Sequence, residues 1–124
     1  MNYGWKLSNS ITALYGASVV GLLALLMHAW QDSLSAEALA RVISAVAVLA
    51  FHTLALLTLG LLSVPSKFNA LVIALWHLGL WGFVWTVLAG VFQLPVHISA
   101  LAPIGGQLLI VAWLLLAVSI WRRS

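Results

Sequence analysis

The fold is decided by residues 42–92, which read VISAVAVLAFHTLALLTLGLLSVPSKFNALVIALWHLGLWGFVWTVLAGVF. Two apolar runs, 42–64 and 70–92, flank a short link that contains Pro65 and Lys67. A transmembrane helix needs about 20 apolar residues, so each run is long enough to cross a bilayer once. Because proline cannot continue a helix and the link is short, the two runs are predicted to form an antiparallel helical hairpin.

Two further apolar runs lie on either side of this hairpin, at residues 10–30 and 103–121. The four runs account for most of the chain, which leaves one domain (residues 1–124) and only short loops. Hydrophobic residues make up 65% of the sequence and charged residues only 6%, whereas soluble domains are about a quarter charged. The sequence therefore predicts an all-α integral membrane four-helix bundle whose solvent is the lipid bilayer.

The distribution of basic residues predicts the orientation of the bundle. Lys6, Lys67, Arg122 and Arg123 lie at the N-terminus, in the central link and at the C-terminus, whereas the other side has only Arg41. Basic residues are enriched on the cytoplasmic side of membrane proteins. Both termini are therefore predicted to be cytoplasmic, in a bacterial inner (plasma) membrane or, alternatively, a mitochondrial inner membrane.

Several functional classes are disfavoured by residue types that are missing from the chain. Cysteine is absent, which excludes disulfides and thiolate metal sites. Asp32 and Glu37 are the two acidic residues and lie outside the apolar runs, which argues against a carboxylate proton relay or cation-coupled transport. The basic residues form no patch that would bind nucleic acid. We expect no catalytic motif, no metal site and no enzyme activity.

Small residues indicate where helices approach each other closely in a membrane. They recur at helical spacing in the first and third apolar runs, and an adjacent pair of glycines opens the fourth. The predicted helix-packing residues are Ala13, Ala17, Gly21, Gly79, Gly82, Gly105 and Gly106.

Three polar residues are candidates for binding a cofactor of unknown identity: His28, His52 and Gln107. His52 lies about 14 Å below the outer surface at 1.5 Å per residue, where an ionisable side chain is a functional candidate. The alternative interpretation is a neutral imidazole that bonds to a neighbouring helix. Gln107, in the first turns of the fourth run, can equally bond across helices.

The remaining histidines give weaker signals. His77 lies near Trp81 and Trp85 and is predicted to face a different neighbour or a partner protein. A haem held by His52 and His77 would need both ligands on one axis, yet their depths differ by about 6 Å. His97 lies in the outer loop and is predicted to be solvated.

Two segments carry a resemblance to a known family. Residues 51–57 read FHTLALL and residues 101–113 read LAPIGGQLLIVAW. They resemble the domain of unknown function 423 family, which includes the YgdD-type and transmembrane protein 256-like small membrane proteins. The family's His-hydroxyl-Leu-Ala-Leu segment is matched at residues 52–56, and its Pro-apolar-Gly-Gly segment at 103–106. The resemblance implies a four-helix fold and supplies no reaction.

Two functional hypotheses follow from these patterns. The first is an accessory or assembly subunit of a larger membrane complex, or a homo-oligomer, which associates with a protein partner or with itself. The alternative is a protein that binds a small ligand, such as a quinone, haem or lipid, through bundle-facing histidines.

Overall fold

The computed structural model describes residues 1–96 and 98–123, so the predicted solvation of His97 lies outside the described residues. Four long helices cover most of that range: α1 (Tyr3–Trp30), α2 (Ala36–Leu62), α3 (Lys67–Val91) and α4 (Leu101–Trp121). No strand occurs in the described ranges. All four helices are long and apolar enough to cross a membrane, which confirms the predicted all-α four-helix architecture.

Hydrogen bonds from side chains set where three of the helices begin. Asn2 accepts from the backbone N–H of Trp5, Ser35 from that of Ala38, and Ser66 from that of Asn69, at 2.9–3.1 Å. Each of these N-cap residues pairs a backbone donor that has no partner within the helix. Helices α1 and α3 therefore begin before the predicted runs at 10–30 and 70–92. The runs remain predictions of which part of each helix crosses the membrane.

The ends of α2 and α3 also have local causes. Helix α2 ends at Leu62, two residues before the predicted limit, because the residue that precedes Pro65 is disfavoured in helical conformation. Gln93 adopts a left-handed backbone conformation with φ of 51° immediately after α3. Helix α3 also contains a π-helical segment at Trp81–Trp85, and α1 ends in another at Leu26–Trp30. Such wide turns shift side chains around the helix axis.

The helices pack in chain order, α1 on α2, α2 on α3, and α3 on α4. The core lies between α2 and α3, and Val42, Ala45, Leu56, Val72 and Trp76 in it are at most 1% exposed. Leucine, isoleucine and valine cover much of the outer surface, as expected where lipid rather than water surrounds the protein.

Backbone contact between α3 and α4 depends on Gly79, Gly82 and Gly105. A Cβ atom built at Gly105 would lie 2.4 Å from the backbone nitrogen of Phe83 and 2.7 Å from the carbonyl oxygen of Gly79. One at Gly82 would lie 3.2 Å from the Gly105 Cα. A Cβ at Gly106 would meet only Phe83 Cδ2, at an ordinary 3.8 Å. The crossing thus needs glycine chiefly at the first three positions.

The predicted packing face of α1 requires correction. Ala13, Ala17 and Gly21 are exposed, and a Cβ at Gly21 would meet no atom within 4 Å. The helix instead packs through the face that carries Trp5, Thr12 and Tyr15. Trp5 Nε1 donates to the carbonyl oxygen of Gly60 at 2.7 Å, which anchors α1 to the end of α2. Ala13 and Ala17 share one face of α1, as their spacing predicts, but that face is the outer one.

Candidate functional site

His52 is buried between α2 and α4 with both ring nitrogens paired. Its Nε2 accepts from Trp113 Nε1 at 2.9 Å, and its Nδ1 lies 2.8 Å from the carbonyl oxygen of Val48. An indole nitrogen can only donate, so the ring proton resides on Nδ1 and is donated to Val48. With both nitrogens used inside the protein, no position on the ring is free for a ligand.

Four tryptophans of α3 and α4 lie in two separate groups. Trp76 and Trp113 pack together beside His52, with ring centroids 4.7 Å apart. Trp81 and Trp85 lie on a different, exposed face of α3. Trp76 is 1% exposed, and its Nε1 has no hydrogen-bond partner within the described residues. The cluster around His52 is therefore a packed core.

The structure does not assemble the three predicted ligand-binding residues. His28 is exposed in the π-helical end of α1, and Gln107 is exposed on α4. Neither makes a hydrogen bond or ring contact with His52 in the described part of the chain. His52 is buried whereas His28 and Gln107 are exposed, so the described structure does not bring the three residues into contact.

A second polar cluster connects α1 to α3, at a position where the sequence predicted none. His77 Nδ1 lies 2.7 Å from the hydroxyl of Tyr15, and its Nε2 lies 2.9 Å from the hydroxyl of Ser8. Trp81 Nε1 donates to the same Tyr15 hydroxyl at 3.0 Å. His77 therefore faces α1 of its own chain, and both its nitrogens are engaged, which leaves neither free for the haem pairing with His52.

The sequence carried a signal for this cluster. Ser8, Thr12 and Tyr15 follow one another at intervals of four and three residues, which places three hydroxyls on one helix face. Thr12 donates to the carbonyl oxygen of Ser8 within α1, whereas Ser8 and Tyr15 reach His77. These hydroxyls, rather than the small residues of α1, therefore indicate which face of the helix meets α3.

Two cavities are lined by residues of this polar cluster. A groove of about 680 Å³ runs between α1 and α3, and its lining includes Tyr15, Ser18, Gly21, Trp81 and Trp85. The other residues that line it are aliphatic: Ile11, Leu14, Leu22, Leu25, Leu49, Leu80, Val84 and Leu88.

The second cavity, of about 580 Å³, lies towards the start of α1 and α3. Ser8, His77 and Lys67 belong to its lining. The hydrogen-bonded chain of Trp81, Tyr15, His77 and Ser8 thus links an apolar groove along the helices to a more polar cavity near their ends.

Polar contacts also fix the end of the bundle that carries both termini. Asn69 is 2% exposed, and its amide donates to the carbonyl oxygen of Val64 at 2.9 Å and to Ser63 Oγ at 3.1 Å. Arg123 donates to Asn69 Oδ1 at 2.6 Å. The C-terminal end of α4 is thereby attached to the link between α2 and α3, and this arrangement is structural.

Comparison with known proteins places the chain in a family. No protein-family model matches the chain, and no solved structure matches it. The chain is 31% identical over 109 residues to a UPF0382 membrane protein of Haemophilus influenzae. That similarity covers 87% of this chain and 88% of the relative. This extent and identity, together with four helices able to cross a membrane, show that the chain belongs to the UPF0382 family of membrane proteins.

Proposed function

We propose that the protein is a non-enzymatic accessory or assembly subunit of a larger membrane complex, or a homo-oligomer, and that α1 makes the contact. The observation that supports this proposal is the outward-facing pair Ala13 and Ala17, a stripe of small side chains that lies outside the groove between α1 and α3. Of the four helices α1 is the least enclosed, with 11% of its most apolar window buried, against 44% for α2.

The physical reason lies in how helices associate in lipid. Lipid tails are as apolar as leucine, so burial of apolar surface gives little gain, and close backbone approach at small residues becomes the main source of affinity. Gly79 and Gly105 serve this purpose inside the bundle. An equivalent surface on the outside of α1 suits a helix of a partner protein or of a second copy.

Substitution within the stripe tests this proposal. Ala17→Leu adds bulk to the outer face of α1 at a position that lines neither the groove nor the core. The matched control is Ala117→Leu, an exposed alanine on α4. We expect Ala17→Leu to dissociate copurified partners or oligomers in mild detergent, and the control to retain them. Equal retention by both variants would refute α1 as the contact surface.

A second candidate function is the binding of a small amphiphilic ligand. The observation that favours it is the groove between α1 and α3, whose lining includes Tyr15. This version replaces His28, His52 and Gln107 as binding residues with Tyr15 and its neighbours. Retention of a lipid-like molecule through purification, and its loss when the groove is filled, would support it.

Finer assignments of family and location are also proposals. Membership of the domain of unknown function 423 family is supported by the segments at residues 52–56 and 103–106. A bacterial inner membrane location with both termini in the cytoplasm is supported by four basic residues on that side against Arg41 on the other. A mitochondrial inner membrane is the alternative location.

A further inference from the structure

The hydrogen-bond network between α1 and α3 has one more donor proton than it has hydrogen bonds. Its donors are the hydroxyls of Ser8 and Tyr15, the indole N–H of Trp81 and the single N–H of a neutral His77 ring. These four groups make three hydrogen bonds with one another. Neither hydroxyl has a further partner within the described residues. Three bonds use three protons, so one O–H is left over.

The network can place that spare proton at either end. If Tyr15 donates to His77 Nδ1, then Nε2–H donates to Ser8 and the serine proton is free. If Ser8 donates to Nε2 instead, Nδ1–H donates to Tyr15 and the tyrosine proton is free. Ser8 lines the cavity that also contains Lys67, and Tyr15 lines the apolar groove. The tautomer of His77 therefore decides which cavity receives a hydrogen-bond donor.

The two ends differ in what can accept the proton. Lys67 is exposed at the start of α3, so water can reach the cavity around Ser8. The groove beside Tyr15 faces hydrocarbon, where an unpaired O–H is costly. A free Tyr15 proton in that groove needs an acceptor that a ligand brings with it.

We propose that this groove binds an isoprenoid quinone, with a ring carbonyl oxygen that accepts from Tyr15 and an apolar tail that lies along α1. The inference rests on the ligand-binding candidate function and names its ligand class. No redox step is part of it. In the bound state Ser8 donates to His77, His77 to Tyr15, and Tyr15 to the carbonyl, so every proton in the chain has an acceptor.

Depth and charge favour a quinone over a phospholipid. Tyr15 lies nine residues beyond Lys6, which is about 14 Å along the helix axis. A phosphate headgroup at that depth would bury charge in hydrocarbon, and none of the described residues that line the groove is charged to pair with it. A quinone ring is neutral, and its carbonyl only accepts hydrogen bonds. The groove volume of about 680 Å³ lies within the range of roughly 300–1,000 Å³ usual for small-molecule sites.

Binding of a ubiquinone analogue with a saturated ten-carbon tail to the full chain in nanodiscs tests the proposal. Bound probe is measured by equilibrium dialysis and by quenching of tryptophan fluorescence, since Trp81 and Trp85 line the groove. We expect saturable binding that Tyr15→Phe weakens about tenfold, which corresponds to ~1.4 kcal/mol. Tyr3→Phe, at an 80% exposed tyrosine of the same helix, is the control and should bind as the unchanged protein does.

A groove-filling variant and a probe without carbonyls distinguish failure of ligand binding from failure of quinone recognition. Gly21→Leu fills the groove from a position where a Cβ meets no atom within 4 Å, so the variant should fold and lose saturable binding. A decyl-substituted benzene lacks carbonyls and should bind without dependence on Tyr15. If neither probe saturates, the ligand-binding function and the quinone both fail. If each probe binds the unchanged protein and the Tyr15→Phe variant with the same affinity, the ligand-binding function stands and recognition of the carbonyl by Tyr15 is refuted.

Discussion

Gly105→Ala is the perturbation whose cost the structure defines best. The added Cβ would lie 2.4 Å from the Phe83 backbone nitrogen, 2.7 Å from the Gly79 carbonyl oxygen and 2.7 Å from the Gly82 carbonyl carbon. Ordinary contact begins at 3.4 Å, so the largest overlap is 3.4 − 2.4 = 1.0 Å. All three atoms belong to the α3 backbone and cannot rotate away. Helix α4 must therefore move outward by about 1 Å, and the free energy of unfolding should fall by about 1–3 kcal/mol, as for other overpacked sites.

The matched control is Gly21→Ala, where the new methyl group meets no atom within 4 Å. Alanine is the better helix former by about 0.5–1 kcal/mol, so this variant should be as stable as the unchanged protein or slightly more so. Reversible unfolding in mixed micelles by titration with a denaturing detergent, followed by tryptophan fluorescence, measures both free energies. Equal values for Gly105→Ala and Gly21→Ala would refute the close crossing of α3 and α4.

Two other expectations can be measured with simpler assays. His52→Gln should leave the fold intact with a modest loss of stability, because hydrogen bonds between transmembrane helices average about 0.6 kcal/mol; loss of a bound quinone or visible absorption band from a well-folded His52→Gln protein would contradict a purely structural role. Reporters fused after residue 124 should read cytoplasmic and reporters inserted near Ser33 and Val96 external; the same side for the fusion at the C-terminus and that near Ser33 would refute the proposed topology.

The number and order of helices could be predicted from the sequence because lipid imposes one requirement on every span. A segment that crosses hydrocarbon must pair its backbone internally, which a helix does, and that helix must contain about 20 apolar residues. Residues 42–92 visibly contain two runs of this length. The exact helix ends depend on individual side chains such as Asn2 and Ser66, whose capping bonds extend α1 and α3 beyond the apolar runs. The length and hydropathy of an apolar run do not predict these capping bonds.

The candidate site was harder to predict because polar groups in a bundle are paired by geometry between helices. His52 was a reasonable candidate from its depth, yet its ring is occupied by Trp113 and Val48. His77 looked like a residue for an external partner, but Tyr15 and Ser8 of its own chain reach it. Each outcome depends on which faces of two helices meet, and a single sequence specifies only which residues share a face.

The glycine and alanine stripes show why that limit matters more in a membrane than in water. In a soluble bundle, polar residues mark the outside of each helix, so the packing face can be identified by elimination. In lipid both faces are apolar, and the small residues of α1 and α3 give the same signal although Gly79 is buried and Gly21 is exposed. On α1 the discriminating residues are instead the hydroxyls that bond to another helix, since Ser18 is exposed and donates to the carbonyl oxygen of Leu14 in its own helix. Tyr15 and Ser8 bond to His77 of α3 and identify the inner face, which leaves Ala13 and Ala17 on the outer face of α1 open to another helix.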